Sequence, residues 1–467
     1  MVVAVACLAV CLGPSLAGPP PVPVASRADT TEQRYATLAG WDRRVRLAVW
    51  DRSHAYGGVY YDRGVMRRWT PDMDHEYDLD AFAVRPSLAD DAAFYAAPSG
   101  LRTSAGSIFT GHFVTETELR VGVGLVGPLG LDARVVQQED LSARRAAVEL
   151  GYRLDLGRGH GVGLRHSVAE DKSDLDVEVF YRYARGARTE LEVTAGRLDG
   201  LNNLVNDVLV PFPGHDDTLR VYDTTPVWLT ARGSAPVGPV RVEVAGGVGP
   251  EARATVRSQT TGDPGFALTD AVAYGGVLAE GVAWARGPDR VVVGAQARAV
   301  RSATGRRSAP GSDTPADYRA RQTEAEVGAF ALGRWRSLRA EAWLAREVRT
   351  DRQSGTAFGG SAVAGPYGVR ERWTWARVRL DWAPGERGPV VGGEVLSGYR
   401  AFPDPDDQRE LAQVLRYVPT SDGRRATLRL GWRFSPRADV VFGGSVDVDR
   451  DQSSTYDGAY VRLRAVW

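Results

Sequence analysis

The chain has 467 residues, with 58 basic and 58 acidic side chains and no net formal charge, which excludes the basic excess of a nucleic-acid binder. Its two cysteines, Cys7 and Cys11, both fall in the first twelve residues, so nothing beyond them can use disulfides, thiolate metal sites or cysteine catalysis. With 53 glycines, 12 tryptophans and 17 tyrosines, composition favours strands, tight turns and interfacial aromatics over helices.

Val2 to Leu12 is an apolar run followed by the small-x-small site Ser15-Leu16-Ala17. This predicts a secretory signal over residues 1–17, cleaved before Gly18. The basic n-region of such a signal is missing, which leaves a start upstream of Met1 open. A lipoprotein reading of Leu8-Ala9-Val10-Cys11 is disfavoured by Val10 and by the early position. Residues 18–30 are a proline-rich linker. From Thr31 to Asp51 two readings compete. Tyr35, Leu38, Trp41 and Val45 suit one face of a short helix capped by Thr31, whereas Val45, Leu47 and Val49 alternate like a strand. Residues 31–110 as a whole are expected to be a periplasmic segment or partial plug that includes a first strand, with candidates near Asp78–Val84 and Leu101–Phe109.

Residues 111–467 are expected to form a transmembrane β-barrel. From Phe113 the alternation becomes regular. Leu119, Val121, Val123 and Leu125 share one face, against Glu116, Glu118 and Arg120. Val148, Leu150, Tyr152 and Leu154 oppose Glu149, Arg153 and Asp155. Val177, Val179, Tyr181 and Tyr183 oppose Glu178 and Arg182, and Leu191 and Val193 oppose Glu190 and Glu192. The pattern continues through 226–233, 240–257, 271–285, 290–301, 321–333, 337–349, 369–383, 388–398, 424–434, 438–449 and 455–467.

Short connections at 157–161, 184–188, 234–239, 286–289, 334–336, 384–387 and 435–437 alternate with long polar ones at 198–218, 258–270, 302–320, 350–368 and 399–423. Outer-membrane barrels show this asymmetry, with short periplasmic turns and longer outer loops. Between Phe113 and Trp467 we read 17 strands. An even count is expected when both ends are periplasmic, so one more strand belongs in 78–110, giving about 18 with a range of about 16 to 20. A secreted propeller or sandwich is the soluble alternative. It fits poorly, because no repeat beyond the hairpin is present and faces such as Ala325-Val327-Ala329-Ala331-Gly333 would make a sparse core.

The polar face mixes signs. Its candidate lumen charges are Glu116, Glu118, Arg120, Arg153, Glu178, Arg182, Glu190, Glu192, Glu324, Glu326, Arg377, Arg379, Arg429, Arg433, Arg462 and Arg464, with Asp155, Arg241 and Glu243 beside them. They read either as the field of a water-filled pore or as cross-strand salt bridges that stabilise the wall. The arginines of the C-terminal quarter favour anions locally. Enzyme signals are poor. His54, His75, His112, His160, His166 and His215 lack metal-ligand spacing, and His166 is followed by Ser167 on the opposite face. Asp404-Pro405-Asp406-Asp407 and Asp447-Val448-Asp449-Arg450-Asp451 are acidic runs better read as solvated loop than as calcium sites.

The last strand brings these readings together. Ala459, Val461, Leu463, Ala465 and Trp467 form an apolar face, opposite Tyr460, Arg462, Arg464 and Val466. This resembles the C-terminal strand of Gram-negative outer-membrane β-barrels, which ends on an aromatic preceded by apolar residues at alternate positions. The match departs from the usual pattern at Ala465, which is small, and at Val461, where an aromatic is more common. The resemblance implies an antiparallel transmembrane barrel in the outer membrane, in contact with its lipids. It further implies that Val461, Leu463, Ala465 and Trp467 form the signal read by the barrel-assembly machinery. It suggests a porin-like passive channel for small solutes and a possible homo-oligomer, while the poor site signals and balanced charge lead us to expect no enzymatic activity, no cofactor and no nucleic-acid partner. The alternatives are a non-conducting barrel that docks a partner and, more remotely, a barrel-embedded hydrolase.

Overall fold

The computed structural model describes residues 35–50, 59–62, 65–68, 88–108, 113–139, 144–169, 176–185, 189–197, 219–257, 261–312, 317–356, 367–401, 422–448 and 456–467. The N-terminal part contributes helix α1 (Ala39–Trp50), a small hairpin of β1 (Val59–Asp62) and β2 (Val65–Arg68), and helix α2 (Leu88–Ala96). The ring opens with β3 (Gly100–Ile108), β4 (Phe113–Gly124), β5 (Leu129–Glu139), β6 (Arg144–Gly157), β7 (His160–Ala169), β8 (Asp176–Arg185) and β9 (Thr189–Arg197). It continues with β11 (Val227–Val237), β12 (Val240–Arg257), β13 (Phe266–Arg286), β14 (Asp289–Ser308), β15 (Asp317–Trp335) and β16 (Leu338–Thr356). The last members are β17 (Tyr367–Trp382), β18 (Gly388–Ala401), β19 (Asp422–Ser435), β20 (Ala438–Asp447) and β21 (Tyr456–Val466). These 18 strands pair antiparallel with their chain neighbours, and β21 closes on β3, so the sheet has no edge. A short strand, β10 (Leu219–Tyr222), lies outside the ring and pairs with the far end of β12.

The first strand is thus the Leu101 candidate. The Asp78–Val84 candidate and the proposed cap Thr31 lie outside the described residues. At the seam the two chain ends of the barrel bond to each other, Ser99 N–H to Trp467 O at 3.3 Å and Trp467 N–H to Ser99 O at 3.1 Å. Both ends therefore lie with the short turns. Two-residue hairpins need left-handed backbone to match strand twist. Gly238 and Gly287 supply it at φ 60°, and Arg336 enters the same region at 47°.

The outer wall is apolar, with Val179, Val327, Leu344, Val378, Val395, Leu428 and Phe442 all exposed. Next to the short turns stand outward-facing Trp284, Trp335, Trp382, Trp432, Phe434 and Trp467. That is an aromatic girdle of the kind found where a membrane barrel meets the headgroups. Strict alternation from Leu278 and Glu280, which are buried, would turn Trp284 inward. A bulge between Val282 and Trp284 shifts the phase and sends it outward.

Strands β13 to β17 run well past the alternating stretches seen in the sequence. Much of 258–270, 302–320 and 350–368, expected as loop, is ladder. The hydrogen-bond ladder does not need an apolar face. Beyond the lipid it continues with polar residues such as Arg306, Arg319 and Gln353, where hydrophobic periodicity has nothing to report.

Candidate functional site

Helix α1 and the residues before it lie inside the barrel. Tyr35, Ala36, Leu38, Trp41 and Val45 are buried in one apolar cluster with inward-facing Trp228, Tyr274, Leu278, Phe330, Trp343, Trp373 and Trp375. Of the two readings of 31–51, the structure has the helix, over Ala39–Trp50, with Tyr35 and Leu38 in the segment just before it. Its apolar spacing of three and four residues is satisfied by a lumen wall that is itself aromatic from β11 to β17. Trp41 meets Tyr274 edge to face at 5.6 Å, and the Arg298 guanidinium lies 6.0 Å from the centre of the Trp41 ring.

The start of α1 is held by two wall carboxylates. A helix N-terminus presents unbonded N–H groups and partial positive charge, which carboxylates satisfy. Glu280 on β13 accepts from Tyr35 N–H at 3.2 Å and Ala36 N–H at 2.8 Å. Glu243 on β12 accepts from Leu38 N–H at 3.0 Å and from the Thr37 hydroxyl at 2.8 Å. Thr37 Oγ1 in turn accepts from Ala39 N–H at 3.1 Å. Arg241 ties the pair together, with Nη2 at 2.6 Å from Glu243 and Nη1 at 2.9 Å from Glu280, and Nη1 also donates to Ala36 O at 3.2 Å. One turn on, the Tyr274 hydroxyl donates to Asp42 at 2.6 Å.

The other side of α1 reaches the far wall. Arg43 pairs with Glu116 at 2.5 Å and Glu118 at 3.1 Å, both on β4. Strand β4 stands seven and eight strands round the ring from β12 and β13, so the helix bridges nearly opposite walls. Helix α2 makes a second crossing. Leu88 N–H bonds Glu341 on β16 at 3.0 Å, and Asp90 pairs with Arg462 and Arg464 on β21, each at 3.0 Å. Asp91 takes Arg102 on β3 at 2.6 Å. The Tyr95 hydroxyl donates to Glu118 at 3.0 Å and accepts from Arg43 at 2.8 Å and Arg102 at 3.0 Å. Burial disfavours the charged form of Asp90, but Arg464 and Arg462 outweigh it and hold the carboxyl well below its ordinary value. Burial also raises the Tyr95 hydroxyl. It opposes charge on Arg43 too, yet Glu118 and Glu116 keep that guanidinium firmly protonated.

On the short-turn side of this crossing lies a cavity of about 1210 Å³, lined by sixteen arginines and ten carboxylates. The excess of arginine gives the mouth a positive field.

The sixteen charges predicted from alternation fall as follows. Arg120, Arg153, Arg182, Glu190, Glu192, Arg379, Arg429, Arg433, Arg462 and Arg464 line the cavity. Glu116 and Glu118 hold the plug. Glu178 is buried at 3.2 Å from Arg165, and Glu326 is buried at 2.5 Å from Arg298. Glu324 lies in the field of the same Arg298. Arg377 pairs with Glu341, Arg379 with Glu394 at 2.5 Å, and Arg429 with Asp381 at 2.5 Å. Arg153 lies 3.2 Å from Asp155. Much of the inner face is therefore salt-bridged wall.

Sequence reasoning missed Glu280, Asp90, Arg102, Arg165 and Glu341. Glu280 and Glu341 sit on the polar phase of strands already recognised, and alternation alone reaches them. Asp90 lies in a helix that composition did not announce. The inward aromatics gave no such signal, because Trp373 and Trp375 share their face with Arg377 and Arg379 and read as polar-face anomalies.

His160 and His166 stand on the outer wall, the first 2.7 Å from the Tyr181 hydroxyl and the second stacked on Tyr152. His54, His75, His112, His215, the Asp404 run and Asp449–Asp451 lie outside the described residues. On the last strand Val461, Leu463, Ala465 and Trp467 share the outward face, opposite buried Arg462 and Arg464.

No protein-family model and no curated protein matches the chain. Solved structures that it resembles are outer-membrane barrels. OccK2 (OpdF) of Pseudomonas aeruginosa is 14% identical, over 78% of this chain and 95% of that one, with a TM-score of 0.35. OmpT, an outer membrane protein of Vibrio cholerae, is 10% identical over 79% and 96%, also at 0.35. The ferric citrate transporter FecA is 9% identical over 79% and 55%, at 0.36. Likeness at this level carries nothing about activity.

Proposed function

We propose that the chain is an outer-membrane conduit for small polar solutes, kept closed by its own N-terminal segment. The observation that carries this is the double crossing of the lumen by α1 and α2, anchored by buried carboxylates on β12, β13 and β4. A barrel of this strand number encloses a water-wide channel unless something fills it. Here the filling is held by an apolar cluster around α1 and tied to nearly opposite walls by hydrogen bonds and ion pairs, and its release would leave charged walls that water can solvate. The porin-like reading thus takes a gated form. The same plug also fits a non-conducting barrel that presents a docking surface. We further assign Val461, Leu463, Ala465 and Trp467 to recognition by the barrel-assembly machinery, on resemblance, and give the chain no catalytic role.

Planar-bilayer conductance separates the readings. The full-length barrel is expected to be mostly closed, and a Glu243→Ala, Glu280→Ala variant is expected to show steady ohmic openings. Silence in both, from barrels shown to be folded, would leave only the docking barrel.

A further inference from the structure

The short-turn mouth contains a row of like charges. Arg290 on β14 stands directly opposite Arg334 on β15, and Arg334 directly opposite Arg339 on β16. Neighbouring strands lie about 4.8 Å apart, and like charges placed so repel. Elsewhere in this lumen the buried guanidiniums are matched: Arg298 with Glu326, Arg379 with Glu394, and Arg165 with three carboxylates. In the row, where Arg290 is half-buried and Arg334 and Arg339 face the water of the mouth, the match fails.

Arg334 and Arg339 have no hydrogen bond or ion pair among the described residues. Asp381, directly opposite Arg339, gives both its oxygens to Arg429 Nη1, at 2.5 and 2.7 Å. Asp289, beside Arg290, accepts the Arg336 N–H at 2.6 Å. Asp289 and Glu386 exert an attractive field on Arg334, and Asp90 attracts Arg339, none of them within ion-pair distance. Among the described residues Arg290 is held by the plug, its guanidinium 5.0 Å from the Tyr35 ring centre and Nη1 3.5 Å from the Tyr35 hydroxyl. All three arginines line the cavity.

We propose that this row is a binding site for a small multivalent oxyanion of phosphate or polycarboxylate type, admitted from the short-turn end. Planar guanidinium forks match the paired oxygens of such a group. One anion spanning two neighbouring forks replaces their mutual repulsion with charge-assisted hydrogen bonds. The site rests on the conduit reading in that it names the class of solute. Its binding is nevertheless measurable on a closed barrel.

The test is calorimetric titration of the full-length folded barrel in detergent with inorganic pyrophosphate, at two salt concentrations. Saturable binding that weakens with salt is expected. Arg334→Gln with Arg339→Gln should weaken it by about tenfold or more, the loss of at least one charge-assisted bond. Arg334→Lys with Arg339→Lys keeps the charge and loses the fork, so it should fall between. Arg158→Gln, at an exposed turn outside the cavity, should bind as wild type. The charge-deleting pair relieves repulsion and is expected to fold, which heat-modifiable migration on a gel checks. No saturable binding by wild type, or equal binding by the Gln pair, overturns the site. If openings on plug release persist in that case, the conduit stands without it. Binding from a barrel that never conducts would instead keep the site and remove the conduit.

Discussion

Replacing Glu280 by alanine should open the barrel without unfolding it. Its carboxylate is 3% exposed and accepts two amide bonds from the plug, at 3.2 and 2.8 Å. It also pairs with Arg241, which keeps Glu243 as a partner whether or not the plug is docked. Of the Glu280 contacts, only the amide bonds therefore distinguish the docked from the released state. Hydrogen bonds to a charged group contribute about 1.5–3 kcal/mol each, so two are worth about 3 kcal/mol at the lower end. That is roughly a hundredfold in the ratio of docked to released plug. The assay is single-channel recording of the full-length protein, scored as the fraction of time open, with a denaturant titration to confirm that the barrel is intact. Glu280→Gln keeps one acceptor oxygen and should give a smaller increase. An alanine variant that stays closed as long as wild type would refute the reasoning.

Three further outcomes are expected. Asp90→Asn should loosen α2, read as faster amide hydrogen exchange over 88–96, and the Asp90 contribution should depend on pH in one direction only. Because Arg464 and Arg462 overcome burial to depress this carboxyl, its stabilisation is complete above the ordinary aspartate value of about 4 and is lost as pH falls through the depressed one. The difference between wild type and the variant should then be constant from about pH 8 to 5, and a difference that shrinks already at pH 6 would contradict the assignment. Leu344→Arg, on the outer wall, should destabilise the barrel by about 2–4 kcal/mol in lipid vesicles, and a neutral result would mean that this face does not meet lipid. Trp467→Ala should lower the yield of folded barrel in cells while leaving refolding in detergent near normal. An equal loss in both settings would point to a packing role instead of recognition.

The period of two in the outer face is set residue by residue by the lipid, so alternation from Leu119 to Val461 was enough to find the strands, their phase and, from parity, that one more lay in 78–110, which the structure places at Gly100–Ile108. The same phase placed Glu118, Arg379 and Arg464 on the inner face. Three things lay beyond it. The ladder outran the alternation wherever strands left the bilayer, as at Arg306 and Arg319, because backbone pairing needs no apolar side chain there. The bulge before Trp284 moved an aromatic from the inner phase of its strand to the girdle.

Most of all, the sequence could not show that Trp373 and Trp375 face inward into the same buried cluster as Leu38 and Trp41, or that Glu280 caps a segment 244 residues earlier in the chain. A strand records which face is wet or greasy. It does not record what fills the space enclosed, because that depends on which distant segment returns to the lumen. The wall of this protein was therefore determined by its local pattern. Its plug was decided only when closure of the ring brought nearly opposite strands within reach of the same helix.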